Sequence, residues 1–351
     1  MGLEENGATV IPIGVELPAA VHYAVALAAR STGKTGASYD RIWIRQVSRL
    51  WALGNAIRKA GSLDLILAMG TELYDLEALR RFGIPIVTYD DGTLKQMWSH
   101  HSSDLRQNGF SGKEVNLWIK RQARSSRAAD INFVSTNWAK ESFMNDYSVA
   151  SSKVRVVGMG HRPKISGSMQ RDWSLPRYLF VGVDWKRKNG DRVLQAFREV
   201  RKTCPEAVLD IVGDTPDITE AGVSNHGLIS RTDDSGQRKI QDLLSTATCF
   251  TVPSLFDPSP IAYLEAGSAG LPVVGTKEGG AQELLGAGSI CVDPTDTNAI
   301  TQGMLELARP DLAELTGKYA REAAATSTWV DVARKILEPS SSLLDIRKLG
   351  V

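Results

Sequence analysis

The chain has 351 residues, 42% of them hydrophobic and 23% charged, with a formal net charge of +1. That length suffices for two domains with separate cores, and so small a net charge is no footing for nucleic-acid binding. Three cysteines (Cys204, Cys249, Cys291) without CxxC spacing argue against a disulfide framework or a cysteine zinc site, and no apolar run reaches membrane-spanning length.

Lys and Arg outnumber Asp and Glu over residues 1–164, and the balance reverses afterwards. The N-terminus lacks the basic-then-apolar pattern of a secretory leader. A cytoplasmic protein, soluble or peripheral to the inner membrane face, is expected.

Short apolar runs alternate with helical patterns along nearly the whole chain, which is the pattern of an α/β protein with parallel sheets. In the first half, strands are expected at Ala8–Ile13, Leu63–Met69, Ile84–Tyr89, Ile131–Ser135 and Val154–Val157, with helices such as Arg41–Lys59 and Asn116–Ala128 between them. The polar stretch Gly158–Ser174 is the best linker candidate. In the second half, strands are expected at Tyr178–Val183, Val208–Val212, Cys249–Pro253, Val273–Gly275 and Ser289–Cys291. Leu194, Phe197 and Val200 mark a helical face after the first of these. Trp329–Leu337 is helical, and the Ser-rich residues beyond Pro339 are expected to fray.

Two segments carry chemistry. Phe180–Gly190 (F-V-G-V-D-W-K-R-K-N-G) runs from a strand through a cationic turn into a helix. A helix N-terminus disfavours cations, so Arg187 and Lys188 there suit an anion such as a diphosphate leaving group. Ser254–Glu283 carries Asp257, then seven residues, then Glu265, followed by a Gly-Leu-Pro turn, a short strand and a Gly-Gly turn. Pro260 begins a helical pattern, placing Asp257 at a helix mouth and Glu265 about two turns in. A carboxylate beside a helix mouth suits a ligand with both phosphate and hydroxyls. As plain local structure, Asp257 is a helix cap and Glu265 a solvated carboxylate.

Together these segments resemble the retaining, nucleotide-sugar-dependent glycosyltransferases of the two-Rossmann (GT-B) type, "glycosyl transferases group 1", with their E-x7-E signature. Asp257 replaces the first Glu, Pro260 stands where the family has Gly, and Glu265 is kept. Phe180–Gly190 follows the G-x-D-W-x-R-K subgroup, with Asn189 in place of a glycine. The resemblance covers roughly residues 60–337 and is strongest over 178–290.

The resemblance implies two Rossmann-like domains facing across a cleft. An acceptor-side domain takes residues 1–164 plus a crossover helix and tail at 326–351, and a nucleotide-sugar-binding domain takes 165–325. It implies that Lys188 binds the diphosphate and that Arg187 supplies the guanidinium missing at Val183. Glu265 then binds the ribose hydroxyls, and Asp257 with Glu278, Gly279 and Gly280 orients the donor sugar. Gly182, Gly213, Leu228, Ile229, Ser259 and Ile261 complete the donor set, with Leu228 and Ile229 along the nucleotide base. Asp91 and Thr93 are acceptor-side candidates.

The implied reaction is transfer of a sugar from a nucleoside-diphosphate donor, UDP- or GDP-linked, to a hydroxyl acceptor with retention. The acceptor is a saccharide, a lipid-linked molecule or a small molecule. No metal and no cofactor beyond the nucleotide-sugar is implied, and Asp90–Asp91 alone is weak evidence for a cation. His161 has a hydrogen-bonding rather than a catalytic role in this reading. The helix with Lys113, Lys120, Arg121, Arg124 and Arg127 beside Leu117 and Trp118 reads as a solvated face or as a contact with an anionic membrane or acceptor.

Two rivals are an epimerase or phosphorylase on the same fold, and a catalytically impaired sugar-nucleotide-binding protein derived from such enzymes. The second draws on the departures at Asp257 and Val183 and on the start of the chain. Leu3–Pro12 resembles the end of the family's first helix followed by its second strand, so that an opening strand–turn–helix unit is missing. Otherwise Ala8–Ile13 is itself the first strand. A missing unit implies donor binding with poor transfer.

Overall fold

The computed structural model describes residues 2–14, 17, 19–30, 42–163, 171–230 and 232–348. It divides into two compact units, residues 1–157 with 333–351, and residues 158–332. Gly158–His161 groups with the second unit because His161 bridges to Thr328, its N–H donating to Ser327 O at 3.1 Å. The unit boundaries thus fall after Val157 and Val332, where the resemblance implies 164 and 325. Of that linker, residues 164–170 lie outside the described part.

The first unit holds four parallel strands, β1 (Ile66–Met69), β2 (Ile86–Asp90), β3 (Ile131–Val134) and β4 (Val154–Val156), side by side in chain order. Helices α1 (Ala19–Arg30), α2 (Trp43–Lys59), α3 (Leu94–Ser99), α4 (Gly112–Ala128) and α5 (Asn137–Asn145) accompany them. Both β2 and β3 are buried along their full length, and the polar Thr88 and Asn132 inside them satisfy each other, Thr88 Oγ1 donating to Asn132 Oδ1 at 3.1 Å.

Ala8–Ile13 corrects the sequence reading: it forms no strand. An apolar run becomes a strand only when a neighbour takes up its backbone hydrogen bonds. Here β1 pairs with β2 among the described residues, and Ile13 instead packs beside Leu53 and Ile57.

The second unit holds β5 (Arg177–Val181), β6 (Val208–Val212), β7 (Val223–Asn225), β8 (Cys249–Thr251), β9 (Val273–Thr276) and β10 (Ser289–Val292) in the order β10-β9-β8-β5-β6-β7, all parallel. Read from β7 this is the Rossmann order 3-2-1-4-5-6. The chain winds outward one way from β5, returns, and winds outward the other way from β8. Loops leaving the carboxyl ends of β5 and β8 therefore diverge, opening a crevice above that junction.

Helices α6 (Gly190–Thr203), α7 (Asp234–Thr246), α8 (Ile261–Ser268), α9 (Thr297–Glu306) and α10 (Pro310–Ala325) complete the unit around a core that includes Tyr178, Phe180, Phe197, Phe250 and Tyr263. Arg171 ties two helix ends together, donating to Leu244 O at 2.8 Å, Ala269 O at 3.1 Å and Gly270 O at 3.0 Å. These carbonyls, at or just past the ends of α7 and α8, are among those a helix leaves without an internal donor.

Helix α11 (Trp329–Lys348) runs through Pro339 and past the expected fraying point. Pro339 has no N–H to give the ladder, and hydroxyls next to it bond the helix backbone: Ser340 donates to Ile336 O and Ser342 to Pro339 O, both at 2.7 Å. Among the described residues no helix is long and apolar enough to cross a membrane.

Candidate functional site

The β5–β8 junction collects most of the residues singled out in the sequence. After β5 the chain turns through Gly182–Lys188, and after β8 through Val252–Pro260. The Lys188 ammonium donates to Asp257 Oδ2 at 2.5 Å, and the Arg187 guanidinium lies 3.7 Å from the same oxygen. Lys188 and Asp257 side chains are only 15% and 10% exposed, so the charges are held in place rather than waving in solvent. Leu255 N donates to Arg187 O at 2.8 Å, which stitches the two loops together at the backbone. Asp184 fixes Arg187 from the other side, with its carboxylate 3.4 Å from Nε.

Asn189 explains why the family's glycine is replaceable here. It adopts a left-handed backbone with φ of 67°, a region that Asn tolerates better than most residues. Its buried amide then donates to Pro253 O at 3.1 Å and Pro294 O at 2.6 Å. Trp185 folds back and donates its indole N–H to Asp191 in the first turn of α6 at 2.8 Å. The cationic turn is therefore pinned from within.

Two glycines are required by close approach. A side chain on Gly213 would come within 1.8 Å of Gly182 O, and one on Gly279, whose φ is +84°, within 2.1 Å of Asp257 O. Gly280 N donates to Pro258 O at 3.0 Å, docking the 278–280 turn directly on the Asp257 loop. Glu278 N is held by Thr276 Oγ1 at 3.0 Å.

Glu265 lies about one turn into α8, four residues after Ile261 where the helix begins, and the expectation of two turns is corrected. Tyr263 anchors that helix, donating to Val252 O at 2.6 Å and accepting from Thr276 N at 3.0 Å. Ser259 is buried just ahead of the helix, and Ile261 is exposed at its first residue.

Glu265, Gly182, Gly213, Leu228 and Ile229 line one pocket, about 810 Å³ including its open mouth. Gln237, Ile240, Gln241 and Leu244 form another wall as one face of α7. The sequence reading missed Gln237 and Gln241. Their i, i+4 spacing inside an amphipathic helix was the available signal. Val183, where the family has Arg, also lines this pocket and is 67% exposed.

The first-unit candidates separate. Thr93 is fully buried and caps α3: its Oγ1 accepts from Gln96 N at 3.1 Å while Gln96 Oε1 accepts from Thr93 N at 3.2 Å. Oγ1 also lies 2.6 Å from Ser142 Oγ, so Thr93 is committed to structure and does not fit an acceptor-contacting role. Asp91 is only partly buried. Asp90, beside it, points inward, accepting from Thr71 N at 3.4 Å and Thr71 Oγ1 at 3.1 Å. Burial, with Glu72 adding to it, pushes its carboxyl up to about 8. Among the described residues no three His, Cys, Asp or Glu side chains cluster as metal ligands would.

The basic helix α4 leaves Lys113, Lys120, Arg124 and Arg127 exposed, and two of them are held by neighbours. Arg124 pairs with Asp75 and with Glu77 at 3.3 Å, and Arg127 donates to Tyr147 O at 3.0 Å. Trp118 is buried against Phe110 with ring centroids 5.1 Å apart, so it is a core residue and not part of a surface contact.

Comparison with known proteins shows what the chain is similar to. Residues 175–309 match the family described as "Glycosyl transferases group 1". The alpha-maltose-1-phosphate synthase of Mycolicibacterium smegmatis is 25% identical over 261 residues, 65% of this chain and 66% of that protein. A GDP-mannose-dependent alpha-(1-6)-phosphatidylinositol monomannoside mannosyltransferase of the same organism is 31% identical over 150 residues, 38% of this chain and 39% of its own length. The match thus spans about two thirds of the first relative and well under half of the second. Among solved structures, sucrose-phosphate synthase from Thermosynechococcus elongatus superposes with a TM-score of 0.64 at 18% identity, covering 85% of this chain and 79% of that one, a likeness of fold. Residues 175–309 are thus similar to the group 1 glycosyl transferases, and the likeness to solved structures is one of fold, α/β with parallel sheets.

Proposed function

We propose that the protein transfers a sugar from a nucleoside-diphosphate sugar to a hydroxyl acceptor, with retained anomeric configuration and without a bound metal ion. The observation that carries this reading is the meeting of Lys188, Arg187 and Asp257 at the β5–β8 junction, in the same unit as the pocket lined by Glu265. Breaking the sugar–phosphate bond leaves negative charge on the diphosphate. Lys188 and Arg187 stabilise that charge as it develops, the part a divalent cation plays in other enzymes.

The reading assigns the ribose hydroxyls to Glu265 and the base to the slot between Leu228–Ile229 and the Gln237/Gln241 face. Asp257 and the Glu278–Gly280 turn face the sugar. The anomeric carbon–oxygen bond to phosphate breaks, the acceptor oxygen bonds to that carbon on the same face, and the departing phosphate oxygen takes the acceptor's proton. No enzyme nucleophile enters this scheme. Asp91 remains the acceptor-side candidate, and an acceptor that is a saccharide, a lipid-linked molecule or a small molecule satisfies it equally.

A thermal-shift screen with UDP-, GDP- and ADP-sugars tests the donor, since a ligand at a hundred times its Kd stabilises by about 2.7 kcal/mol. Proton NMR of the product's anomeric centre tests retention, and activity in excess chelator tests the metal-free scheme. No stabilisation by any nucleotide-sugar would refute the proposal.

A further inference from the structure

The pocket of the second unit has one wall in the segment after β7 and another in α7. The segment is pinned to the sheet: His226 N donates to Ile211 O and Gly213 N to Gly227 O, both at 2.9 Å. The His226 ring adds a contact, its Nε2 lying 2.8 Å from Asp210 Oδ1 inside β6. Helix α7 is pinned to the segment in turn. Gly236, in its first turn, packs so closely that a side chain there would come within 2.0 Å of Ser230 O. The fold itself therefore sets how far apart the two walls stand. Both bring apolar side chains to the pocket, Leu228 and Ile229 from the segment, Ile240 and Leu244 from the helix.

Four polar side chains line the pocket among the described residues, and they are not equivalent. Glu265 is the carboxylate assigned to the ribose. Ser230 is committed to its own turn, its Oγ accepting from Thr232 N at 3.2 Å and lying 3.1 Å from Thr232 Oγ1. Gln237 is exposed near the start of α7 and is engaged within the protein. Gln241, one turn further along the same face, is half-buried, and among the described residues its amide has no hydrogen-bond partner. An amide offers one donor beside one acceptor, so the edge that answers it carries one acceptor beside one donor.

Nucleotide bases differ at this point. Uracil presents O4 beside N3–H, and adenine presents N1 beside its 6-amino group, each a full match for one amide. Guanine carries a further donor next to its O6 and N1–H, the 2-amino group. One free amide among apolar neighbours leaves one of guanine's groups unanswered, and an unpaired polar group in such a slot lowers affinity.

We propose that Gln241 reads the base, and that the pocket takes a uracil or adenine nucleotide in preference to a guanine one. This rests on the nucleotide-sugar reading of the pocket and narrows the donor within it. Uracil and adenine share the matching edge, and titration with each tells them apart.

Calorimetric titration of the native chain is expected to show UDP or ADP binding about tenfold tighter than GDP, the worth of one unanswered group. Inosine diphosphate, which is GDP without the 2-amino group, should regain that tenfold. Gln241→Leu takes the amide away and keeps an apolar wall. It should weaken the better of UDP and ADP about tenfold at an unchanged Tm. It should also cease to distinguish that ligand from its form without the matching donor, N3-methyl-UDP or the ADP analogue lacking the 6-amino group. Gln241→Glu offers acceptors only, which suit the adjacent N1–H and 2-amino donors of guanine, and should turn the preference towards GDP.

If the native chain binds none of these nucleotides, the nucleotide-sugar reading falls and this inference with it. If it binds GDP as tightly as UDP and ADP, or if Gln241→Leu binds and discriminates as the native chain does, the nucleotide-sugar reading stands and this inference alone is overturned.

Discussion

Lys188 and Asp257 are 69 positions apart in the chain and meet at 2.5 Å, the ammonium of one turn against the carboxylate of the next. The contact exists because β5 and β8 are neighbours in the sheet, so that the loops leaving them open side by side. Asp257 serves two cations at once, Lys188 directly and Arg187 at 3.7 Å. A carboxylate so placed keeps two positive charges in fixed positions until an anion takes them over.

Asp257→Ala should be the most destabilising single change at the site. It leaves two cations gathered with no counter-charge, and breaking a buried pair from one side costs about 3–5 kcal/mol; partial exposure here favours the lower end. Lys188→Ala should cost less stability and more turnover, since its charge acts on the leaving group. Urea denaturation of both single variants and the double variant measures the coupling. Strictly additive effects would show that the pair is incidental.

Glu265→Gln should weaken binding of the nucleotide-sugar by about 1.5–3 kcal/mol, ten- to a hundredfold, through loss of a charge-assisted hydrogen bond. The protein should stay folded, because Glu265 lies at a pocket wall and Tyr263, not Glu265, anchors the helix. Unchanged calorimetric affinity in a folded variant would remove Glu265 from the ribose.

Asn189→Gly should be tolerated better than Asn189→Ala. Both lose the amide bonds to Pro253 and Pro294, but only Ala must also hold a left-handed backbone, at about 1–2 kcal/mol extra. Chemical denaturation of the two variants ranks them, and an Ala variant at least as stable as the Gly variant contradicts the backbone argument.

Asp90 makes stability fall as pH rises. Its carboxyl is shifted from the ordinary range to about 8 by burial, so between those values the native chain keeps a proton that the unfolded chain has lost. The contribution is fully present below the unfolded pKa and is lost as pH rises through the folded one, by about 1.4 kcal/mol per pH unit at most. Asp90→Asn removes that dependence. Melting temperatures of native and variant chains should lie close together near pH 4 and diverge in the variant's favour by pH 8. Parallel profiles would place Asp90 as an ordinary ionised carboxylate.

Much of the architecture was legible in the residues. Apolar runs marked each strand centre from Ile66 to Val292 except the short edge strand Val223–Asn225, where the burial that gives a strand its apolar signature is incomplete. Ala8–Ile13 is the converse, an apolar run without a pairing partner among the described residues. Thr93 could have been recognised as a cap, since T-L-K-Q places Gln three residues after Thr as a capping box requires.

The chain's own residues determined the two motifs, the cationic turn and the Asp–x7–Glu pair, because local chemistry is written in local order. The tertiary structure alone decided that they meet. Strand order brings Lys188 to Asp257, helix start sets Glu265 one turn in, and the return of the chain at Ser327 buries His161. Each of these depends on which strands and helices become neighbours, a choice made by burial and backbone pairing over the whole unit and not by any single stretch of sequence.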